Sequence, residues 1–450
     1  MPDCSVWDYL DNLELNLELE PGDPRLVPLN QARGNFSEDQ ILRRLGIDRD
    51  GGGLRHIPRR RYVLFGGHRG CGKSTELRRL SALLDQPDRY FVVFVDALKR
   101  LDVNSLCYSD ILLAQAQVLV ERLAEHAVKI ERVHLRRLED WFHQRIEQHT
   151  RSIELSSELK AGAKAEVGLP WFAKLFAELT NAIKVNSTHK EEIRAEIRNS
   201  FTEFAGAFNQ LIAHANEVIA AQGLGRCILF VVDGTDRLNG KHSDEFFIRD
   251  IHQLGLIESC FVYCAPIDLL TEQGQLRANY DAVFRLPMVK LVDKAIGKPD
   301  PGTWELLPEA LGLLRQFVYA RLPLGCFDSE ETVDYLIRFS GGHPRDLLHL
   351  LNFAFQDMTG DCLDRAAATS AVRTLQPNIN ASLRQRIFRC CAKSTIARRP
   401  RSPPPNKPGA CSITWHCWNT TTSGGNRTPP CARLMATWEL SHLQTPGTDP

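Results

Sequence analysis

The chemistry this sequence offers rests on one lysine, one hydroxyl and two carboxylates. Lys73 and Ser74 close the run Gly66-Gly67-His68-Arg69-Gly70-Cys71-Gly72-Lys73-Ser74-Thr75, which fits the phosphate-loop pattern G-x-x-x-x-G-K-[ST]. Glycines let several backbone N–H groups close on one anion, and a helix starting there adds its positive dipole end. In such a loop Gly67, His68, Arg69, Gly70, Cys71, Gly72, Lys73, Ser74 and Thr75 form the cradle. Lys73 reaches the β and γ phosphates of ATP, and Ser74 ligates Mg²⁺. The second piece is Cys227-Ile228-Leu229-Phe230-Val231-Val232-Asp233, an apolar run ending in an acid, continued by Gly234-Thr235-Asp236-Arg237-Leu238 as in a Walker B segment. Asp233 at a strand end would hold Mg²⁺ opposite Ser74. Asp236 is the carboxylate best placed to polarise a water, its other reading being a helix N-cap. Cys71 lies beside Lys73 near a helix start, which lowers a thiol's pKa, but the preferred reading is a small residue filling the loop.

These residues need a scaffold, and the sequence writes one. Apolar runs at 61–65, 90–96, 227–233, 260–266 and 283–287 alternate with helical patterns. Strands apolar throughout belong to a sheet covered on both faces, so the fold class is α/β, a parallel sheet with right-handed crossovers. Between the second and third runs lies a long helical insertion. Leu119, Leu123, Ala127, Ile130, Leu138 and Trp141 mark one helical stretch. Ile193, Ile197, Phe201, Phe204, Phe208, Leu211, Ala215 and Val218 mark a second, longer one. The two either form a protruding antiparallel arm or dock on the sheet, and docking is the expected outcome. Residues 153–169 alternate with period two, as a hairpin would, and Pro170 opens an amphipathic helix whose aromatic face packs inward.

Composition narrows the class further. The chain has 450 residues, 43% hydrophobic and 24% charged, with zero formal net charge. No global field therefore favours nucleic acid or an acidic membrane. No apolar run is long enough for a membrane span, so a membrane role is not expected. The thirteen cysteines form no C-x-x-C pairs and the histidines no ligand spacing, which reads as reduced thiols in a cytoplasmic protein.

The lead-in, residues 1–57, alternates leucine with polar residues at 13–20, as a short strand would. It then carries a helix near 38–45 with Ser37 as cap, Gln40 at the capping-box position and Gly46 as stop. The expected organisation is a nucleotide-binding core over 58–100 and 223–300, the insertion over 101–222, and a helical lid over 301–375. Within the lid, Ser340-Gly341-Gly342-His343-Pro344-Arg345 places Arg345 in a helix's first turn, where its charge opposes the dipole and an anionic ligand is its natural partner. From 376 to 450 the composition changes to Pro, Thr, Ser, Cys and Trp with little periodicity. That stretch reads as a disordered tail or, given its Cys and Trp, as translation out of frame; a shifted frame of 415–425 allows helical protein sequence.

With these motifs in order, the chain resembles bacterial AAA family ATPases of the AAA+/STAND neighbourhood. It does so through GHRGCGKSTEL, DGTDRL and SGGHPRDLLHLL, with Asp23-Pro24-Arg25 and Ala32-Arg33-Gly34 like the lead-in of that family. The resemblance spans roughly 20–375. It implies a P-loop sheet with a lid, Arg345 as a sensor arginine, and a nucleotide-dependent switch in signalling or defence that contacts an unidentified protein or further copies of itself. Two positions depart from the pattern. Gly234 stands where many AAA+ enzymes carry a water-polarising Glu, and Cys264-Ala265 where a polar sensor residue is usual. Both imply slow hydrolysis, and a carboxylate introduced at 234 should raise the rate if the backbone accepts it. The alternative reading is a DNA-binding initiator-type or remodelling ATPase, although no basic DNA-binding module follows the lid.

Overall fold

Five of the apolar runs form five parallel strands: β1 (Arg61–Gly67), β2 (Tyr90–Asp96), β3 (Cys227–Asp233), β4 (Cys260–Ala265) and β5 (Ala282–Leu286). They lie in the order β2-β3-β4-β1-β5. The register runs Asp96↔Asp233 and Gly66↔Ala265, so the C-terminal ends that carry the motifs share one edge of the sheet. This is an α/β fold of the P-loop nucleoside-triphosphatase type. The computed structural model describes residues 6–17, 19–48, 52–102, 106–142, 169–184, 189–238, 240–271, 276, 278–293 and 305–375. The period-two segment, except Leu169, and the tail from 376 lie outside them.

Side chains alternate across each strand, and both faces are buried. One face packs Val63, Phe65, Val92, Leu229, Val231 and Val262 against α1 (Glu38–Arg44) and α2 (Lys73–Leu84). The other packs Leu64, Val93, Phe230, Phe261 and Tyr263 against helices of the insertion. These are α3 (Tyr108–Glu125), α4 (Arg132–Phe142), α5 (Leu169–Lys184), α6 (His189–Asn199) and α7 (Phe201–Ala221). Phe208 of α7 meets Phe230 at 6.4 Å between ring centroids, Phe230 stacks on Phe261 at 5.1 Å, and Phe261 on Tyr62 at 4.8 Å. Each such ring contributes about 1.5–3 kcal/mol by burial. The long apolar stripes are therefore docked on the sheet, and the aromatic face of α5 turns inward with Phe172 and Phe176 fully buried.

Three local expectations change. The first stripe is two helices, because the chain turns at Ala127, which adopts a positive φ of 52°. The second also divides. The break is at Ser200, whose backbone leaves helical geometry at φ −114° and ψ 25° while its hydroxyl back-bonds to the Glu196 carbonyl at 2.7 Å. The alternating leucines near the start do not form a strand: Leu13 ends a 3₁₀ helix over Val6–Leu13, a turn follows, and Leu13 and Leu19 are simply buried anchors. The helix at 38–44 forms without a side-chain bond from Ser37 and so without the expected capping box. Its end is as expected, with Gly46 at φ +82° and its N–H bonding Arg43, and Ile47 bonding Leu42, as in a Schellman motif.

By its contacts the chain divides into two units. Glu14–Val289 with His343–Arg345 forms one; Met1–Leu13, Lys290–Gly342 and the chain from Asp346 form the other. The described residues of the second unit include α8 (Pro308–Tyr319), α9 (Glu330–Phe339), most of α10 (Pro344–Asp357) and a last helix over 365–375. Ser329 caps α9 by accepting from the Thr332 N–H at 3.3 Å. Trp7 packs edge-on against Phe355 at 4.8 Å.

Candidate nucleotide site

The loop between β1 and α2 is held by what surrounds it. Gly72 sits at φ +93°, a left-handed conformation that a side chain resists, and caps α2 by accepting from the Glu76 N–H at 2.9 Å. Gly70 is needed for close approach, since a Cβ there would come within 2.4 Å of the His343 ring and 2.9 Å of the Arg345 Cβ. His343 Nε2 also lies 2.9 Å from the Arg69 carbonyl oxygen. His68 and Arg69 form the exposed rim of the loop, and Ser74 and Thr75 start α2.

Lys73 is buried to 7% exposure, its Nζ donating to the Gly67 and His68 carbonyls, both at 3.1 Å, and pairing with Asp236 at 2.9 Å. Burial alone would lower the ammonium's pKa. The Asp236 carboxylate outweighs that, and the pKa ends above its ordinary value. Asp236 is thus the ion-pair partner of Lys73, and among the described residues no helix-capping bond from it is present.

Asp233 ends β3 at 3% exposure. It accepts from the Gly234 N–H at 2.8 Å, and the Ser74 hydroxyl lies close enough to favour its charged form. Burial pushes its carboxyl up, these two groups pull it down, and Asp236 and Asp96 push it up again. Among the described residues no ion pair neutralises it, whereas Asp96 has Arg78 at 3.2 Å and Asp236 has Lys73. A buried carboxylate facing a hydroxyl and crowded by acids fits a hard cation, and oxygen donors of this kind suit Mg²⁺. The Cys264 thiol lies in the same cluster, its sulfur and the Asp233 and Asp236 oxygens all within 4.8 Å of one another. Burial holds that thiol well above its usual pKa, so it suits a hard cation poorly. The Thr235 hydroxyl ties the turn to β4 through the Cys264 carbonyl at 2.5 Å.

The structure answers two questions that the sequence left open. Cys71 is fully buried, and burial raises its pKa despite Lys73 and Arg33 nearby, so it is a packing residue of the loop and not an activated thiol. Gly234 has φ +85°, and a Cβ there would meet Leu98 Cγ at 2.7 Å, so the backbone does not welcome an added carboxylate. Gly234→Glu should therefore lose about 2–3 kcal/mol from left-handed strain and the clash together. Urea unfolding would read this as an earlier midpoint, and a variant as stable as wild type would contradict it.

The structure gathers Lys73, Ser74, Asp233 and Asp236 in one place. Arg345 meets the loop through its Cβ, while its guanidinium bonds Asn16 at 3.3 Å. Sequence reasoning gave no role to His343, which lies inside a quoted motif, or to Arg33, whose Nη2 donates to the Cys71 carbonyl at 2.8 Å.

Fold and loop together define a P-loop nucleoside-triphosphatase fold. No protein-family model matches the chain, and no curated protein sequence matches it. Among solved structures it is similar to the crystal structure of Cdc6p from Pyrobaculum aerophilum, at 14% identity and a TM-score of 0.31, over 75% of this chain and 69% of that one. No helix among the described residues is long and apolar enough to cross a membrane.

Proposed function

We propose that this chain binds ATP with Mg²⁺ at the β1–α2 loop and hydrolyses it slowly, as a nucleotide-dependent switch of AAA+/STAND type. The observation that carries this is Asp233, a buried carboxylate with no ion-pair partner among the described residues, close to the Ser74 hydroxyl and the Lys73–Asp236 pair. Ser74 and Asp233 would hold Mg²⁺, which supplies positive charge to the phosphate oxygens when bound. Lys73 would exchange its present partners for phosphate oxygens. Asp236, released from Lys73, would accept a proton from the attacking water. Gly234 offers no carboxylate for that task, and Asp236 is engaged by Lys73 until nucleotide arrives, so turnover in isolation should be slow. In this reading residues 301–375 serve as a lid, Arg345 senses the bound nucleotide, and the output is contact with a protein partner or with further copies of the chain.

Calorimetry of the purified protein with ATP, with and without Mg²⁺, tests the binding step, and single-turnover hydrolysis tests the switch. Binding is expected to strengthen with Mg²⁺. Turnover should fall well below the roughly 10 per second of a typical enzyme. Several turnovers per second without a partner would rule out the switch, and absence of binding would rule out the whole reading.

A further inference from the structure

We propose that Arg33, in the lead-in, is the positioning residue of the phosphate loop: it fixes the peptide between Cys71 and Gly72 so that the Gly72 N–H faces an incoming phosphate. This rests on the nucleotide reading above and adds to it a residue outside both motifs.

The argument starts from peptide geometry. In a trans peptide the C=O of one residue and the N–H of the next point in opposite directions, and the chain has no cis bonds among its described residues. Arg33 Nη2 holds the Cys71 carbonyl at 2.8 Å, and Nη1 holds the Pro287 carbonyl just beyond β5. The guanidinium thus bridges the loop to the end of an edge strand. With the Cys71 oxygen drawn toward Arg33, the Gly72 N–H is turned away from it. That N–H is one of the donors a phosphate loop uses at the start of its helix. A Cβ at Gly72 would lie 3.6 Å from Nη2, so a positive charge also sits directly behind the loop.

Packing alone does not explain the residue. Arg33 is 5% exposed, and its Nε is buried without a hydrogen-bond partner. Burial pulls its pKa down, only partly offset by Cys71 and Glu76. An apolar side chain would fill the space without desolvating a charge. The same segment also grips the helix start: the Asn30 amide donates to Glu76 at 2.8 Å and to Glu38 at 3.1 Å. Glu76 is the residue whose N–H closes the first turn on Gly72.

The test compares wild type, Arg33→Lys and Arg33→Met by calorimetry with ATP-Mg²⁺ and with tripolyphosphate-Mg²⁺, alongside thermal unfolding without ligand. Arg33→Met should bind both ligands about tenfold to a hundredfold more weakly, the range typical of lost supporting hydrogen bonds. Arg33→Lys keeps the charge but cannot bridge two carbonyls as the planar fork does, so it should recover only part of the affinity while unfolding near the wild-type temperature. Equal loss for both ligands supports a defect in the phosphate cradle. If Arg33→Met does not fold, Arg33→Lys decides alone: wild-type affinity in that variant overturns the proposal. A wild-type protein that binds neither ligand overturns the nucleotide reading itself, a result distinguishable from a bound wild type with an indifferent Arg33→Lys.

Discussion

Replacing Lys73 with alanine is expected to abolish ATP binding at micromolar nucleotide while the chain stays folded. The Lys73 ammonium is the cation inside the loop, held by two loop carbonyls and by Asp236 at 2.9 Å. Charge-assisted hydrogen bonds contribute about 1.5–3 kcal/mol each. Losing two of them to phosphate oxygens amounts to at least a hundredfold in affinity, at about 1.4 kcal/mol per tenfold. A second effect adds to the first. Without Lys73 the Asp236 carboxylate remains beside Asp233 with its cation gone, and the local field turns against a polyanion. The fold should survive because the sheet is stabilised by its two apolar faces, and Lys73 belongs to neither. Calorimetry should show no ATP heat, with an unchanged far-ultraviolet circular dichroism spectrum. Wild-type affinity in this variant would leave the loop without a nucleotide role.

What could be read from the sequence was what chemistry and burial demand locally. A phosphate loop needs glycines and a lysine within ten residues. A strand covered on both faces needs an unbroken apolar run. Hence β1 to β5 and the strand-end Asp233 stand where the patterns place them. Contacts across the sheet were not legible. Nothing in the spacing says that Asp236 faces Lys73, or that Arg33 reaches the Cys71 carbonyl across 38 positions. Periodicity also misleads where a stripe continues through a break. The apolar positions of α6 and α7 keep their phase across Ser200, so the pattern reads as one helix although the backbone leaves helical geometry there, at φ −114° and ψ 25°. Cys71 shows the same limit in electrostatics. Its sequence neighbours would lower its pKa, but burial outweighs them, and burial is a property of the fold.

Asp236→Asn is the substitution that separates binding from hydrolysis. Asparagine preserves the shape and can still accept a hydrogen bond from Lys73 Nζ, but it carries no charge and is not a base. Two consequences follow in opposite directions. Lys73 no longer has to leave an ion pair to reach phosphate, so ATP affinity should stay level or rise a few-fold. On the proposed role of Asp236 the water loses its proton acceptor, and general-base contributions are about 10²–10⁴-fold, so the single-turnover rate should fall by at least about a hundredfold. Gly234 cannot compensate, having no side chain, and Cys264 is a buried thiol held protonated by its surroundings. Asp233 is better suited to the metal through Ser74 than to the water. The pair of measurements is what makes the result decisive, because a variant damaged in folding would lose both. Retained affinity with a lost rate assigns Asp236 to the water. Retained affinity with a wild-type rate would reduce Asp236 to the resting counter-ion of Lys73, and the proton would have to leave by another route.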